Sequence, residues 1–282
     1  MPPVALLGAG GFLGSHVYRA LAAADQEVLA LRRGLPLREQ LEAAGPAVVV
    51  NCAGATHGSR SELEAANVHL VLGLVDEMRG VGARLIQIGS SAEYGPGVSG
   101  TPISEEHPAH PVGEYGATKL AATQAVLAAQ RAGRLAATVL RVFNPVGAGM
   151  ASASLPGHAA TLVRRALDQG GPVELGSLNA TRDFVDARDV ADAVVAACFA
   201  PAADGQVLNV GSGRGATARE LVQTLAEIAG YAGPIGEGAS GSPRSATVSW
   251  QVADIRRAAT VLGWAPRRSL AEALAALWSG IA

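Results

Sequence analysis

Lysine is nearly missing from this chain. Of 282 residues only Lys119 is a lysine, and the strongly basic side chains are otherwise all arginine. Other scarcities narrow the functional class. Two cysteines occur, Cys52 and Cys198, in apolar runs without metal-type spacing; two alone make no disulfide framework, so both are expected as small buried core residues. Excess charge is lacking too: a formal net charge of -2 offers no basic footprint for nucleic acid or an anionic membrane. No apolar run approaches the length of a membrane span, and the first, at 4–7, ends in glycines without a basic flank or cleavage site. The expected setting is cytoplasmic, with no nucleic acid and no membrane as partner. Internal repeats and low-complexity domains are also wanting. Apolar residues still make up 49% and charged residues 16%, which calls for a compact globule of one large domain or two coupled ones.

The single lysine stands four residues after Tyr115 in Tyr115-Gly116-Ala117-Thr118-Lys119, within a segment that reads as helix over 114–132. That spacing stacks both side chains on one face. A nearby ammonium favours an ionised phenol, so the pair reads as a general acid or base with its activator attached. An arginine fork does not replace a compact ammonium on equal terms. Spacing alone also fits two surface residues that share a face by chance; the surrounding motifs decide between the two.

Residues 4–7 form a short apolar strand, followed by Gly8-Ala9-Gly10-Gly11-Phe12-Leu13-Gly14 and a helical pattern through Val17, Leu21 and Ala24. Strand, glycine turn and helix in that order suit a pyrophosphate: Gly8, Gly11 and Gly14 permit a tight turn and close backbone approach, with Phe12 and Leu13 opening the helix. The second strand, 27–31, ends in Arg32-Arg33. Arginine there accommodates the 2′-phosphate of NADP, where an acidic residue would bond the NAD ribose, so NADP(H) is preferred over NAD(H); two solvated arginines are the plainer alternative. The apolar run 47–51 leads into Cys52-Ala53-Gly54, small enough for a cofactor to lie against. A helix over 61–79 carries Asn67, and the strand 84–89 ends in Ser90-Ser91-Ala92-Glu93-Tyr94-Gly95, whose hydroxyls point to the crevice beyond the strand ends. The segment 96–111 reads as loop, and His107 and His110 within it as solvated residues with no third ligand. Strands are expected at 136–142, 173–175 and 206–210, helices at 158–168, 187–199 and 217–229, a glycine- and serine-rich loop at 233–245, the best candidate for mobility, and two short helices near Asp254 and Ser269. The alternation calls for α/β architecture, a Rossmann-type doubly wound parallel sheet with a smaller, mostly C-terminal cap.

With these residues in place the chain resembles the extended short-chain dehydrogenase/reductase superfamily, in its nucleotide-sugar epimerase, dehydratase and reductase branch. Gly8, Gly11 and Gly14 match that family's dinucleotide turn, Ser91 its strand-end hydroxyl, and Tyr115 with Lys119 its catalytic pair. The resemblance implies cofactor contacts from Phe12, Leu13, Arg32, Arg33, Cys52, Ala53, Gly54, Asn67, Tyr115 and Lys119. It implies substrate contacts from Ser91, from Glu93, which matches a base used by dehydratases, and from Asn144, Arg182 and Arg244, which match groups that hold the diphosphate or base of a sugar nucleotide. Arginine forks bind phosphate oxygens bidentately whatever the ancestry; for Arg182 an ion pair with Asp183 or Asp186 is the structural alternative.

Two departures stand out. The interval between Arg33 and Ala47 is short for the third strand and acidic turn that lie near the adenine, and Ala92 occupies a position where dehydratases often carry an acid. The domains implied are residues 1–145 with 183–210 for NADP, and 146–182 with 211–282 for a dTDP- or GDP-type sugar, with a homodimer through the long helices around Asn67 and Tyr115. The activity implied is NADPH-dependent reduction of an NDP-4-keto-6-deoxyhexose. The alternatives are an NAD-dependent 4-epimerase, then a 4,6-dehydratase. A rival of another class, a cofactor-binding sensor or assembly factor, would be marked by loss of the serine, tyrosine or lysine, and all three are present.

Overall fold

Six short apolar segments line up side by side in the computed structural model, which describes residues 2–237 and 248–281. They are β1 (Val4–Leu7), β2 (Val28–Leu31), β3 (Val48–Asn51), β4 (Arg84–Ser90), β5 (Ala137–Val142) and β9 (Val207–Val210), in the order β2-β1-β3-β4-β5-β9 and all parallel. A strand sends alternate side chains to opposite faces, and both faces here are covered. Val4, Leu6, Val48, Val50, Ile86 and Leu140 pack with Val17 and Leu21 of α1 (Phe12–Ala23) and Val190 and Val194 of α7 (Ala187–Cys198). Ala5, Val49, Leu85 and Val139 pack on the other side with Val71 and Leu74 of α4 (Leu70–Glu77) and Ala122 and Val126 of α5 (Glu114–Arg131). Each fully buried valine or leucine stabilises the fold by about 1.5–3 kcal/mol. That is why these strands read as continuous apolar runs.

From β1 the chain goes first to β2 on one side and then to β3 on the other, which opens a crevice beyond their carboxyl ends. The short interval after Arg33 holds α2 (Leu37–Ala44) and no strand, leaving β2 at the sheet edge.

A second layer forms around β8 (Thr181–Asp186), a strand hidden in the sequence. It pairs with β6 (Asn144–Val146) and β12 (Trp250–Gln251) in parallel and with β10 (Gly215–Thr217) antiparallel. β7 (Val173–Leu175) pairs with β11 (Ile235–Glu237). Phe184 lies in one apolar cluster with Val163 of α6 (Leu155–Gln169), Leu221 and Leu225 of α8 (Ala218–Ala229) and Leu274 of α10 (Leu270–Ser279); α9 (Arg256–Leu262) lies between.

Two expectations change. The helix read over 61–79 begins as α3 (Arg60–Glu64), capped by Ser59 and Glu62, and is then widened by a π turn at Ala65–His69 before α4. The segment 96–111 is stitched to distant chain: Gly97 N donates to Trp250 O at 3.0 Å, Ile103 N to Val252 O at 2.7 Å, and Asp254 N to Ile103 O at 2.9 Å. Much of the loop expected at 233–245 lies outside the described residues. No helix among the described residues is long and apolar enough to cross a membrane.

Candidate active site

The β1–α1 turn has no room for side chains where it bends. Gly8 has φ +85°, and a Cβ there would lie 2.7 Å from Ala53 N; one on Gly14 would lie 1.9 Å from Gly8 O. Gly11 N donates to Gly8 O at 3.0 Å, and Gly11 begins α1 with no side-chain cap and no acidic residue in the first turn. The opening amides of α1, at Phe12, Leu13 and Gly14, therefore lack helical acceptors and form a seat for an anion. With its bare backbone against Ala53, this cradle fits the pyrophosphate of a dinucleotide. Gly14→Ala is expected to destabilise the protein by about 1–3 kcal/mol and to weaken dinucleotide binding. Thermal unfolding with and without NADPH checks it, and unchanged values would show slack in the turn.

Beyond β3, Asn51 Oδ1 accepts from Ala53 N at 3.0 Å and its amide donates to Gln87 Oε1 at 2.9 Å. Cys52 borders the core, and burial pushes its thiol up to about 12, with Lys119 pulling the other way. Asn67 is aimed inward by the π turn. Its Oδ1 accepts from Ala55 N at 3.0 Å, and its Nδ2 donates to Ala55 O at 2.9 Å and Thr118 Oγ1 at 3.1 Å. A Cβ on Gly54 would lie 2.7 Å from Asn67 Oδ1. Asn67 thus braces the loop after β3 against the helix that carries the tyrosine and lysine. Arg32 and Arg33 are exposed at the end of β2, where the Arg32 backbone is held by Gln40 at 2.8 and 3.1 Å.

The tyrosine, lysine and serines converge on the end of β4. Lys119 is buried, and its Nζ donates to Ile88 O at 2.6 Å. One turn earlier Gly116 lies so close that an added Cβ would be 2.5 Å from Ala92 O, so the start of α5, the turn that carries Tyr115, packs on the Ser91–Glu93 turn. Ser90, which sequence reasoning left out of the site, ends β4; its Oγ accepts from Ala92 N at 3.2 Å, leaving its own proton for another acceptor. Its signal was present as the first half of the Ser-Ser pair.

Glu93 does not fit the substrate-side role expected of it. It is fully buried, its Oε1 accepting from Ser90 N at 2.8 Å and its Oε2 from Arg141 Nε at 2.8 Å. The Arg141 guanidinium lies 4.4 Å over the Tyr94 ring, and Tyr94 Oη donates to Asn209 Oδ1 at 2.8 Å. Burial pushes the Tyr94 phenol up to about 12, so this buried network keeps its proton. His107 meets the Tyr94 ring edge-on at 6.0 Å, and His110 N donates to Tyr94 O at 3.1 Å, which ties both to the fold.

In the second layer, Asn144 Nδ2 donates to Asp183 O at 2.9 Å. Arg182 donates to Thr181 O at 2.9 Å and Val248 O at 2.6 Å. The acids beside it are engaged elsewhere: Asp183 accepts from Ser212, Gly213 and Ala253, and Asp186 pairs with Arg188 at 2.6 Å. Burial raises the Asp183 carboxyl, against hydrogen bonds that pull it down. Arg244 lies outside the described residues.

A glycine cradle at a topological switch point, beside a tyrosine and lysine brought to a strand-end serine pair, defines a dinucleotide-dependent oxidoreductase of the extended short-chain dehydrogenase/reductase type. The chain belongs to the NAD dependent epimerase/dehydratase family, whose model matches residues 4–211. It is 38% identical to a dTDP-6-deoxy-L-talose 4-dehydrogenase (NAD(P)(+)) of Kitasatospora kifunensis, over 98% of this chain and 94% of that one. Identity to a GDP-6-deoxy-D-mannose reductase of Pseudomonas aeruginosa is 30%, over 79% and 78%. Among solved structures, RMD from Pseudomonas aeruginosa complexed with NADPH is similar at a TM-score of 0.87 and 26% identity, covering 99% of this chain and 98% of that one.

Proposed function

We propose that the protein reduces the 4-keto group of a nucleotide-activated 6-deoxyhexose, of dTDP or GDP type, with NADPH. The observation that carries this reading is the Lys119 bond to Ile88 O, which fixes the lysine one turn from Tyr115 at the end of β4. A bound NADPH supplies hydride to the carbonyl carbon. The Tyr115 phenol gives its proton to the carbonyl oxygen as charge develops there, while a strand-end hydroxyl, Ser91 with Ser90 beside it, donates a hydrogen bond to the same atom. Lys119, held by Ile88 O one helical turn from Tyr115, would favour the phenolate as the proton leaves and would bond the ribose of a bound nicotinamide dinucleotide. Residues 1–145 and 183–210 bind the dinucleotide. Asn144 and the part of β8 beyond Arg182, which lie in the second layer, instead join residues 146–182 and 211–282 in binding the sugar diphosphate, far from the reacting carbon. Among the relatives, a 4-dehydrogenase named for a dTDP-linked 6-deoxyhexose supports carbon 4, and a reductase named for a GDP-linked 6-deoxyhexose supports the same sugar class and the direction of reduction.

A second reading, 4-epimerase, is favoured by relatives such as a UDP-glucose 4-epimerase of Corynebacterium glutamicum, 32% identical over 72% of this chain. Such an enzyme recycles its dinucleotide, whereas the exposed Arg32 at the 2′-phosphate position favours NADP exchanged at each turnover. Absorbance at the reduced-nicotinamide band separates the two. NADPH is expected to be consumed in step with an NDP-4-keto-6-deoxyhexose, NADH far more slowly, and Arg32→Ala should narrow that difference. A flat signal while the sugar changes stereochemistry would establish the epimerase instead.

A further inference from the structure

Gln251 is 3% exposed, and its amide donates to two carbonyls about 160 residues away in the chain, Ser91 O at 2.8 Å and Gly95 O at 3.0 Å. These carbonyls bracket the chain that carries Ser91 past the end of β4. Ser91 opens the Ser91–Glu93 turn, and Gly95, at φ +78°, follows it. Gln251 belongs to β12, where it is paired in register with Arg182 of β8. The bond from Gly97 N to Trp250 O at 3.0 Å continues the same seam. A primary amide is the shortest uncharged side group that offers two N–H donors. A leucine of similar size would leave the Gly95 carbonyl unpaired and Ser91 O with the Tyr94 backbone N–H alone, at 3.1 Å.

We infer that Gln251 is a positioning residue for reduction. It fastens the serine turn to the strand pair bearing Arg182, so that seating the diphosphate in the second layer and aiming the strand-end hydroxyls at the carbonyl become one event. This rests on the reading that Ser91 and Arg182 serve the same substrate. Asn144 makes a comparable link within the second layer, to Asp183 O; Gln251 alone of the two reaches the serine turn.

The test compares wild type, Gln251→Leu, Gln251→Glu and Tyr115→Phe with NADPH and an NDP-4-keto-6-deoxyhexose, each rate divided by the concentration of NADPH-binding sites. Gln251→Leu is expected to bind NADPH normally and to lose kcat by on the order of 10–100-fold, with a larger isotope effect from deuterated NADPH. In Gln251→Glu the carboxylate opposes two carbonyl oxygens, whereas the protonated acid donates to one of them. Its kcat should therefore recover as pH falls, through an ionisation missing from wild type and Gln251→Leu. A merely structural role would lower the number of NADPH-binding sites and leave kcat per site intact, and that result would overturn the inference. If Gln251→Leu does not fold, the Gln251→Glu profile decides, and a profile matching wild type counts against the inference. Failure of the functional reading looks different: wild type would not consume NADPH with the keto sugar, or Tyr115→Phe would turn over at full rate.

Discussion

Tyr115→Phe is expected to lower turnover of the keto sugar by about 10²–10⁴-fold, the usual contribution of a positioned proton donor, while NADPH affinity stays near that of wild type. The ring remains to fill its place at the start of α5, where the backbone packs against the Ala92 carbonyl. On the proposed mechanism, what the substitution removes is the proton for the carbonyl oxygen. Ser90 and Ser91 can still polarise that oxygen, so a small residual rate should survive. Stopped-flow NADPH oxidation gives turnover, and quenching of NADPH fluorescence gives affinity. Undiminished turnover would refute the role given to the phenol, and lost affinity would assign it to binding. Ser90→Ala and Ser91→Ala, run beside it, show which hydroxyl shares the work.

Arg141→Ala should produce the largest loss of stability. Arg141 is 6% exposed and is the ion-pair partner of the fully buried Glu93. Removing it strands a carboxylate away from water, at a cost of about 3–5 kcal/mol. It also uncovers the Tyr94 ring on which the guanidinium lies. Chemical denaturation measures the loss. Glu93→Leu with Arg141→Met should be less destabilising than Arg141→Ala alone, because an apolar pair leaves no orphaned charge. If the double variant is the weaker protein, the pair is stabilising in its own right and the desolvation argument fails here.

The parts of the site that could be read in the sequence are those set by short spacing. Gly8, Gly11 and Gly14 mark a bend whose geometry is local, and Tyr115 and Lys119 are neighbours because a helix makes them so. Apolar runs such as 47–51 announce a strand buried on both faces, and their alternation with helices announces a parallel sheet, whose strand order is visible only in the fold. What escaped was decided by partners far along the chain. Glu93 could pass for a base until its pairing with Arg141, 48 positions later, placed it beneath the strand end. The strand around Phe184 has no sequence signal of its own, because its length and pairing come from segments near residues 145, 216 and 250. The π turn at Ala65–His69 is invisible to a periodicity of 3.6, yet it is what aims Asn67 inward. Gln251 carries no motif in the sequence, and only the fold shows what its amide holds.

The solitary lysine gives the chain an unusual experimental transparency. With Lys119 buried and bonded to Ile88 O, the folded surface presents no side-chain amine to an acylating reagent. Acylation of that residue therefore becomes a clock for the opening of the strand end. Its rate under native conditions reports how often the pocket breathes, and its slowing by a bound dinucleotide would give occupancy without any catalytic assay.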